Sequence, residues 1–94
     1  MFSVERDGAL AAFLGLKKTE AGPTITEIRG DISDRATMRE LVEKVYAYAR
    51  DKGNDVIRAA LPSGSDDATK FFEGEDFREV APDSEGKRMF VKRL

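Results

Sequence analysis

The sequence predicts an α+β domain built on one mixed β-sheet. Two groups of short strand-like segments flank a long stretch of helical periodicity, and turn residues separate the segments. A helix between two strands predicts a right-handed parallel crossover, whereas tight turns join antiparallel strands. The predicted order is therefore β-β-β-α-β-α-β-β. With 94 residues, 40% of them hydrophobic, the chain has the material for a single domain over 1–94.

Three strands are predicted before the long helix. Residues 2–6 alternate between apolar and polar, and Asp7-Gly8 suits a tight hairpin because both residues tolerate positive φ. The second strand covers 9–18, and its nearly continuous apolarity indicates that both of its faces are covered. A turn at 20–23 leads to the third strand, 24–29, which is rich in β-branched residues.

The long helix is predicted from about 34 to 52. Ser33 is placed to cap its first turn, and Thr37 with Glu40 offers a capping box one turn later. Gly53 follows the last turn, where a left-handed residue is needed. The apolar residues recur at helical spacing and form one stripe, which consists of Met38, Leu41, Val42, Val45, Tyr46 and Ala49. We expect the Tyr46 hydroxyl at the surface, at the edge of the core, and Tyr48 in solvent.

The second half of the chain predicts two strands and a helix before the final strand. The first strand is 56–61, and the turn Gly64–Asp67 opens a short helix that carries Ala68, Phe71 and Phe72. Asp66 and Asp67 lie at the positive end of this helix, which explains both carboxylates without a cation. The last two strands are expected at 77–81 and 88–94, with a loop at 82–86 between them.

Composition excludes several kinds of site. The chain has no histidine and no cysteine, so it offers no imidazole base, no thiol nucleophile and no thiolate ligand for a metal. The carboxylates lack the spacing of a calcium loop, so no metal is expected. No apolar run reaches the roughly 20 residues of a membrane helix, and no signal peptide opens the sequence. We therefore expect a soluble cytoplasmic protein without membrane contact.

The order of elements, and the segment 41–80 above all, resembles the core of the GNAT superfamily of acyl-CoA-dependent N-acetyltransferases. The resemblance covers nearly the whole chain. The strand and two helices with which that family usually begins have no counterpart, so a minimal form is expected. The resemblance implies acyl transfer from acetyl-CoA or another acyl-CoA to an amine, by direct attack since no cysteine is present.

In that family, the loop before the long helix holds the CoA pyrophosphate with backbone amides and glycines. Matching Leu41, Ala49 and Gly53 to the family's leucine, alanine and stop glycine places this motif on 33–38. The expected cofactor-binding residues are then Ser33, Arg35, Ala36, Thr37 and Met38, with Ile28 and Arg29 beside the pantetheine.

Several departures make this motif degenerate. Ser33 replaces arginine or glutamine, Ala36 replaces the first glycine, and Met38 replaces the second position, which is glycine or alanine in the family. Asp31 and Asp34 lie where phosphate would come, and each unit-charge pair at about 6 Å costs roughly 0.7 kcal/mol in water. Arg35 and Arg39 offset part of this repulsion.

The family's second motif survives only in part. It falls on Ser65, Ala68, Phe72 and Asp76-Phe77. Phe72 stands where the family often has a tyrosine that protonates the departing thiolate, and phenylalanine has no hydroxyl. The expected general base is Glu27, the carboxylate on the third strand. The competing interpretation is a glutamate that faces solvent.

Two further functions stay open. In the first, the chain is a non-catalytic interaction module: apolar sheet surface, left uncovered by the missing segments, binds a second copy or another protein. In the second, the basic pairs Lys87-Arg88 and Lys92-Arg93 bind nucleic acid. We do not expect that partner, because charged residues on an edge strand more commonly prevent edge-to-edge aggregation.

Overall fold

A computed structural model of the chain describes residues 2–20, 22–61 and 66–94. The order of elements is the predicted one. The strands and helices are β1 (Phe2–Arg6), β2 (Ala9–Thr19), β3 (Gly22–Gly30), α1 (Arg35–Asp51), β4 (Val56–Leu61), α2 (Asp66–Gly74), β5 (Arg78–Val80) and β6 (Arg88–Arg93).

The strands form one six-stranded sheet in the order β1-β2-β3-β4-β6-β5. β3 and β4 are parallel and are joined by α1, whereas the other neighbouring pairs are antiparallel. This arrangement confirms the predicted crossover and the mixed sheet. β6 lies between β4 and β5, so the prediction that its basic residues line an edge is wrong.

Both helices pack on the same face of the sheet. The predicted stripe of α1 is fully buried there, and Phe71 and Phe72 of α2 join the same core. From the sheet, the core receives Val4, Ala12, Leu14, Ile25, Ile57, Ala59, Leu61 and Phe90. Tyr46 is only 3% exposed, which corrects the expectation that its hydroxyl reaches the surface. Its hydroxyl instead donates to Glu75 inside the protein.

The other face of the sheet is not covered by any element within residues 2–20, 22–61 and 66–94. Along β2, Ala12 and Leu14 are buried under the helices, while Phe13 points the other way and is half-buried. The continuous apolarity of this strand predicted two covered faces, and in the described chain only one is covered. We call the uncovered side the open face.

A bulge in β3 lies directly after the point where its pairing with β4 ends. Gly15 pairs with Glu27 and Leu16 pairs with Ile25, so Thr26 is an extra residue in the strand. Beyond it, the parallel ladder to β4 stops after Thr24–Arg58 and Ile25–Ala59. β3 and β4 are therefore joined over a short stretch only.

The ends of α1 are fixed by short polar contacts. Asp34 is the N-cap, and not Ser33 as the sequence predicted. The Asp34 carboxylate accepts a hydrogen bond from the backbone N–H of Thr37, as an N-cap side chain does. The Ser33 hydroxyl donates to the Asp31 carboxylate instead. At the other end Gly53 has φ +80°, which confirms the predicted left-handed stop. Neither described helix has the length and apolarity needed to cross a bilayer.

Candidate functional site

The loop between β3 and α1, residues 31–34, lies where the predicted phosphate motif begins. Asp31 organises it: its carboxylate accepts hydrogen bonds from the Ser33 backbone N–H at 3.0 Å and from the Ser33 hydroxyl at 2.5 Å. Its carbonyl accepts the Asp34 N–H at 3.0 Å. The loop thus satisfies two of its own backbone donors.

Asp34 satisfies a further donor of the helix start. One carboxylate oxygen accepts the Thr37 N–H at 3.3 Å, and the other accepts the Thr37 hydroxyl at 2.7 Å. These two hydrogen bonds favour the ionised form and hold the pKa of Asp34 below its ordinary value. Asp34 therefore stays a negative charge at the positive end of α1, where a carboxylate is stabilised.

A cavity of about 530 Å³ opens beside this loop, with α2 as its other wall. The loop contributes Asp31 and Ser33, α1 contributes Arg35, and α2 contributes Asp67 and Lys70. Neither Arg35 nor Lys70 forms an ion pair with the described part of the chain. The cavity thus presents two cations and two carboxylates to whatever enters it.

The contribution of α2 to this cavity is not predicted by the sequence. The helix dipole explains Asp67 without a ligand, and no pattern singles out Lys70. Their spacing of three residues places both on one face of a helix. That spacing was readable, but which face turns toward the β3–α1 loop depends on packing.

The predicted cofactor residues are brought together only in part. Ser33 and Arg35 line the cavity, whereas Met38 is fully buried in the core and Ala36 is exposed outside the cavity lining. Thr37 is buried, with its amide and hydroxyl bound to Asp34. Ile28 is half-buried on the helix side, and Arg29 is exposed on the open face. The predicted cofactor-binding residues therefore do not line one common surface.

These residues do not fit the pyrophosphate of CoA. Such a group needs free backbone N–H donors and a close approach to the backbone. The amides of Ser33, Asp34 and Thr37 already have partners, and two of these partners are carboxylates. A phosphate at this helix start would displace Asp31 and Asp34 and then lie beside their charges.

Glu27 lies on the open face and is exposed. Its carboxylate forms an ion pair with Arg29, two residues further along β3, with a closest approach of 3.3 Å. Opposite it on β2 is Gly15, where an added Cβ would meet the Glu27 Cβ at 3.4 Å. Its surroundings match the interpretation of a solvent-facing glutamate, and its role as a base stays a prediction.

The second motif serves packing. Phe72 is fully buried and forms edge contacts with the rings of Phe71 and Phe77. Asp76 replaces the family's glycine and has φ +68°, the left-handed conformation that glycine adopts most easily. Ala68 is buried as well, and Ser65 lies outside the described residues.

A metal site finds no support in the part of the chain that the structure describes. Over residues 2–20, 22–61 and 66–94, no three acidic side chains group closely enough to hold a metal ion.

The open face has an apolar centre with basic residues around it. Ala60, Met89 and Val80 pair across β4, β6 and β5, and Val91 lies beside them. Val80 is 44% exposed, and Met89 and Val91 are half-buried. The basic residues of this face are Lys17, Arg29, Arg58, Arg78 and Arg93, and its carboxylates are Glu5 and Glu27.

Comparison with known proteins places this fold. No family model and no curated protein matches the sequence. Among solved structures, a probable acetyltransferase from Staphylococcus epidermidis superposes with a TM-score of 0.79 at 19% identity, over 98% of this chain and 65% of that one. The ribosomal-protein-S18-alanine N-acetyltransferase from Escherichia coli superposes with a TM-score of 0.70 at 18% identity, over the same shares.

A third structure extends the likeness. The ribosomal-protein-alanine N-acetyltransferase from Brucella melitensis gives a TM-score of 0.64 at 19% identity, over 98% of this chain and 67% of that one. The likeness is one of fold, and it confirms the GNAT-like mixed sheet. The chain spans 65% of the length of the first two structures.

Proposed function

We propose that this chain is an N-acetyltransferase-like domain that keeps the GNAT fold without an acyl-CoA site and acts as a non-catalytic module for binding another polypeptide. The observation that carries the proposal is the occupation of the α1 start by the protein's own carboxylates. Asp31 and Asp34 hold three backbone donors that a pyrophosphate would use, those of Ser33, Asp34 and Thr37. With these donors occupied, the fold's anchoring of the cofactor is weakened.

Two further observations support the loss of acyl transfer. Phe72, at the position of the family's tyrosine, is buried against Phe71 and Phe77 and has no proton to give. Glu27 faces away from the helices and is paired with Arg29. The candidate base and the β3–α1 cavity therefore belong to different sides of the sheet.

The binding half of the proposal is supported by the open face. Its apolar centre is partly exposed, and the sequence of β2 has the apolarity of a strand covered on both sides. A second copy of the chain or a different protein would cover it. A cytoplasmic location stays a prediction from the sequence.

The test is isothermal calorimetry with acetyl-CoA and with CoA at millimolar concentration. We expect no saturable heat, and amide NMR spectra in which the resonances of residues 30–37 do not move. Saturable heat together with shifts of those amides would overturn the proposal. The same NMR spectrum shows whether the sample is folded, so an unfolded preparation is not mistaken for a negative result.

Acyl-CoA-dependent N-acyl transfer to an amine is the second candidate. It is favoured by the GNAT-like fold and by the cations Arg35 and Lys70 at the cavity. If this candidate is right, Arg35→Glu with Lys70→Glu removes the heat of acetyl-CoA binding, while Lys87→Glu, at a residue that does not line the cavity, retains it. Loss of heat in both variants, or in neither, would count against the cavity as the cofactor site.

A further inference from the structure

We infer that the occupant of the open face is an acidic amphipathic helix of another polypeptide. The inference rests on the proposed function, since it names the partner of that module. It is carried by the charges and the apolar residues that the strand register brings side by side.

One lateral row of the open face crosses five strands. Paired residues run from Arg78 on β5 through Val91, Arg58 and Thr24 to Lys17 on β2. The row holds three basic residues and no carboxylate. Its four inter-strand spacings of about 4.8 Å give a length of about 19 Å. A helix of about 13 residues has that length, at 1.5 Å per residue.

Apolar side chains run beside this row. Val80, Met89 and Ala60 form the neighbouring row, and Phe13 is half-buried on the same face nearer β1. A ligand for this surface needs apolar side chains on one stripe and acidic side chains flanking it. An amphipathic helix provides both, and a helix on a sheet face is the usual way to bury apolar sheet surface.

Carboxylates near the face are fewer than the cations. Glu27 is paired with Arg29, and Glu5 lies on β1 at the far edge. At the β5 edge, Glu73 and Asp76 line a cavity of about 760 Å³ together with Arg78 and Arg93. Glu73 and Asp76 would repel an acidic helix that extended beyond β5, so we expect the helix to end at that strand.

The same charges argue against the other occupants. A two-fold dimer through this face would place the basic row against itself or near it, and like charges at an interface are unfavourable. Nucleic acid would find cations, but Phe13 is the one aromatic side chain placed on the described part of this face, whereas single-stranded bases stack on several aromatic platforms. An acidic amphipathic helix would contact both the basic row and the apolar row beside it.

The experiment titrates ¹⁵N-labelled protein with three synthetic helical peptides of about 14 residues. The first carries Leu on one stripe and Glu on the other, the second has Lys in place of Glu, and the third has Ser in place of Leu. We expect the Glu/Leu peptide alone to bind, with amide shifts on all five strands of the row, β2 to β6, and with affinity that falls as salt rises.

Variants then test the surface itself. Lys17→Glu with Arg78→Glu should weaken the Glu/Leu peptide by about tenfold or more, since charge reversal replaces attraction by repulsion. Lys18→Glu is the matched control: it neighbours Lys17 but lies on the helix side, in the lining of a cavity with Tyr48 and Lys52. It should retain the affinity. Val80→Asp tests the apolar half and should weaken binding as well.

Several results would overturn the inference. Equal binding of the Lys/Leu peptide, or no binding of the Glu/Leu peptide, would remove the acidic partner. A dimer by light scattering that Val80→Asp dissociates would assign the face to a second copy. A single-stranded oligonucleotide that shifts the same amides would assign it to nucleic acid. Either peptide result, or the dimer, leaves the proposal of a polypeptide-binding module standing. Saturable acetyl-CoA binding at residues 30–37 would remove that proposal independently.

Discussion

The Tyr46 hydroxyl donates a hydrogen bond to the Glu75 carboxylate at 3.2 Å, which ties the middle of α1 to the residue that follows α2. The second carboxylate oxygen of Glu75 accepts from Arg39 at 2.6 Å. Lys92 of β6 donates to the Glu75 carbonyl at 2.7 Å and lies 4.3 Å from the centre of the Tyr46 ring. α1 and the sheet therefore meet at one buried residue, Glu75, directly after α2.

Tyr46→Phe should lower the free energy of unfolding by about 1.5–3 kcal/mol, the usual range for a hydrogen bond to a charged group. Urea denaturation measures it. Tyr48→Phe is the control, because Tyr48 is 42% exposed and loses little. Equal stability of the two variants would show that the buried hydroxyl contributes nothing.

The same pair predicts an alkaline limit to stability. Burial and the neighbouring Glu75 charge raise the pKa of Tyr46 in the folded state. Its contribution is therefore fully present below the unfolded tyrosine pKa of about 10 and declines as pH rises above that value. In a Tyr48→Phe background, ionisation followed at 295 nm should coincide with unfolding. Ionisation of Tyr46 in the folded protein near pH 10 would contradict this.

Gly30→Ala should destabilise the junction of β3 with the α1 loop. Gly30 has φ +124°, and an added Cβ would lie 2.7 Å from both the Ala11 carbonyl oxygen and the Ala12 Cβ. Gly8→Ala shares the positive φ but meets nothing within 4 Å. We expect Gly30→Ala to be less stable than Gly8→Ala by about 1–3 kcal/mol, the usual cost of overpacking. Equal losses in thermal unfolding would refute the close contact.

Asp76→Gly should stabilise the protein by about 0.5–1 kcal/mol. The left-handed conformation of Asp76 costs a residue with a Cβ about 1–2 kcal/mol, and the greater backbone entropy that glycine loses on folding offsets about 0.5–1 kcal/mol of that gain. Asp76→Ala keeps the Cβ and should give no gain. Chemical denaturation of both variants decides the point: a gain in the alanine variant would mean that the side chain, and not the backbone conformation, is unfavourable.

Asp34→Ala should weaken the start of α1 in a pH-dependent way. The pKa of Asp34 is lowered in the folded state by its hydrogen bonds to Thr37. The stabilisation is thus present above the unfolded pKa of about 4 and is lost as pH falls through the lower folded value. The difference between wild type and Asp34→Ala should shrink in acid. Asp34→Ser, which can still cap, should stay closer to wild type at neutral pH.

The order of elements was predictable because each boundary has a local cause. Asp7-Gly8 makes the first hairpin with positive φ at both residues, and Gly53 ends α1 in the same way. The α1 stripe from Met38 to Ala49 is buried as its period predicts. Such signals depend on a few neighbouring residues, so no tertiary information is needed to read them.

The site was less predictable because its geometry depends on contacts between distant segments. The N-cap is Asp34 and not Ser33, and the Ser33 hydroxyl donates to Asp31. The spacing of the residues alone does not decide which of these neighbouring side chains caps the helix. The placement of Lys70 beside the β3–α1 loop depends on how α2 docks. The burial of the Tyr46 hydroxyl required Glu75, which lies 29 residues away in the sequence.

The short ladder between β3 and β4, which ends just before the extra residue Thr26, divides the sheet into two plates. One plate holds β1, β2 and β3, the other holds β4, β6 and β5, and the backbone ladder joins them through the Thr24–Arg58 and Ile25–Ala59 pairs. α1, whose buried stripe contacts strands on both sides of this ladder, adds to the connection. Amide protons on the two sides should exchange with solvent as separate cooperative units, and loosening α1 should release one plate from the other before either melts.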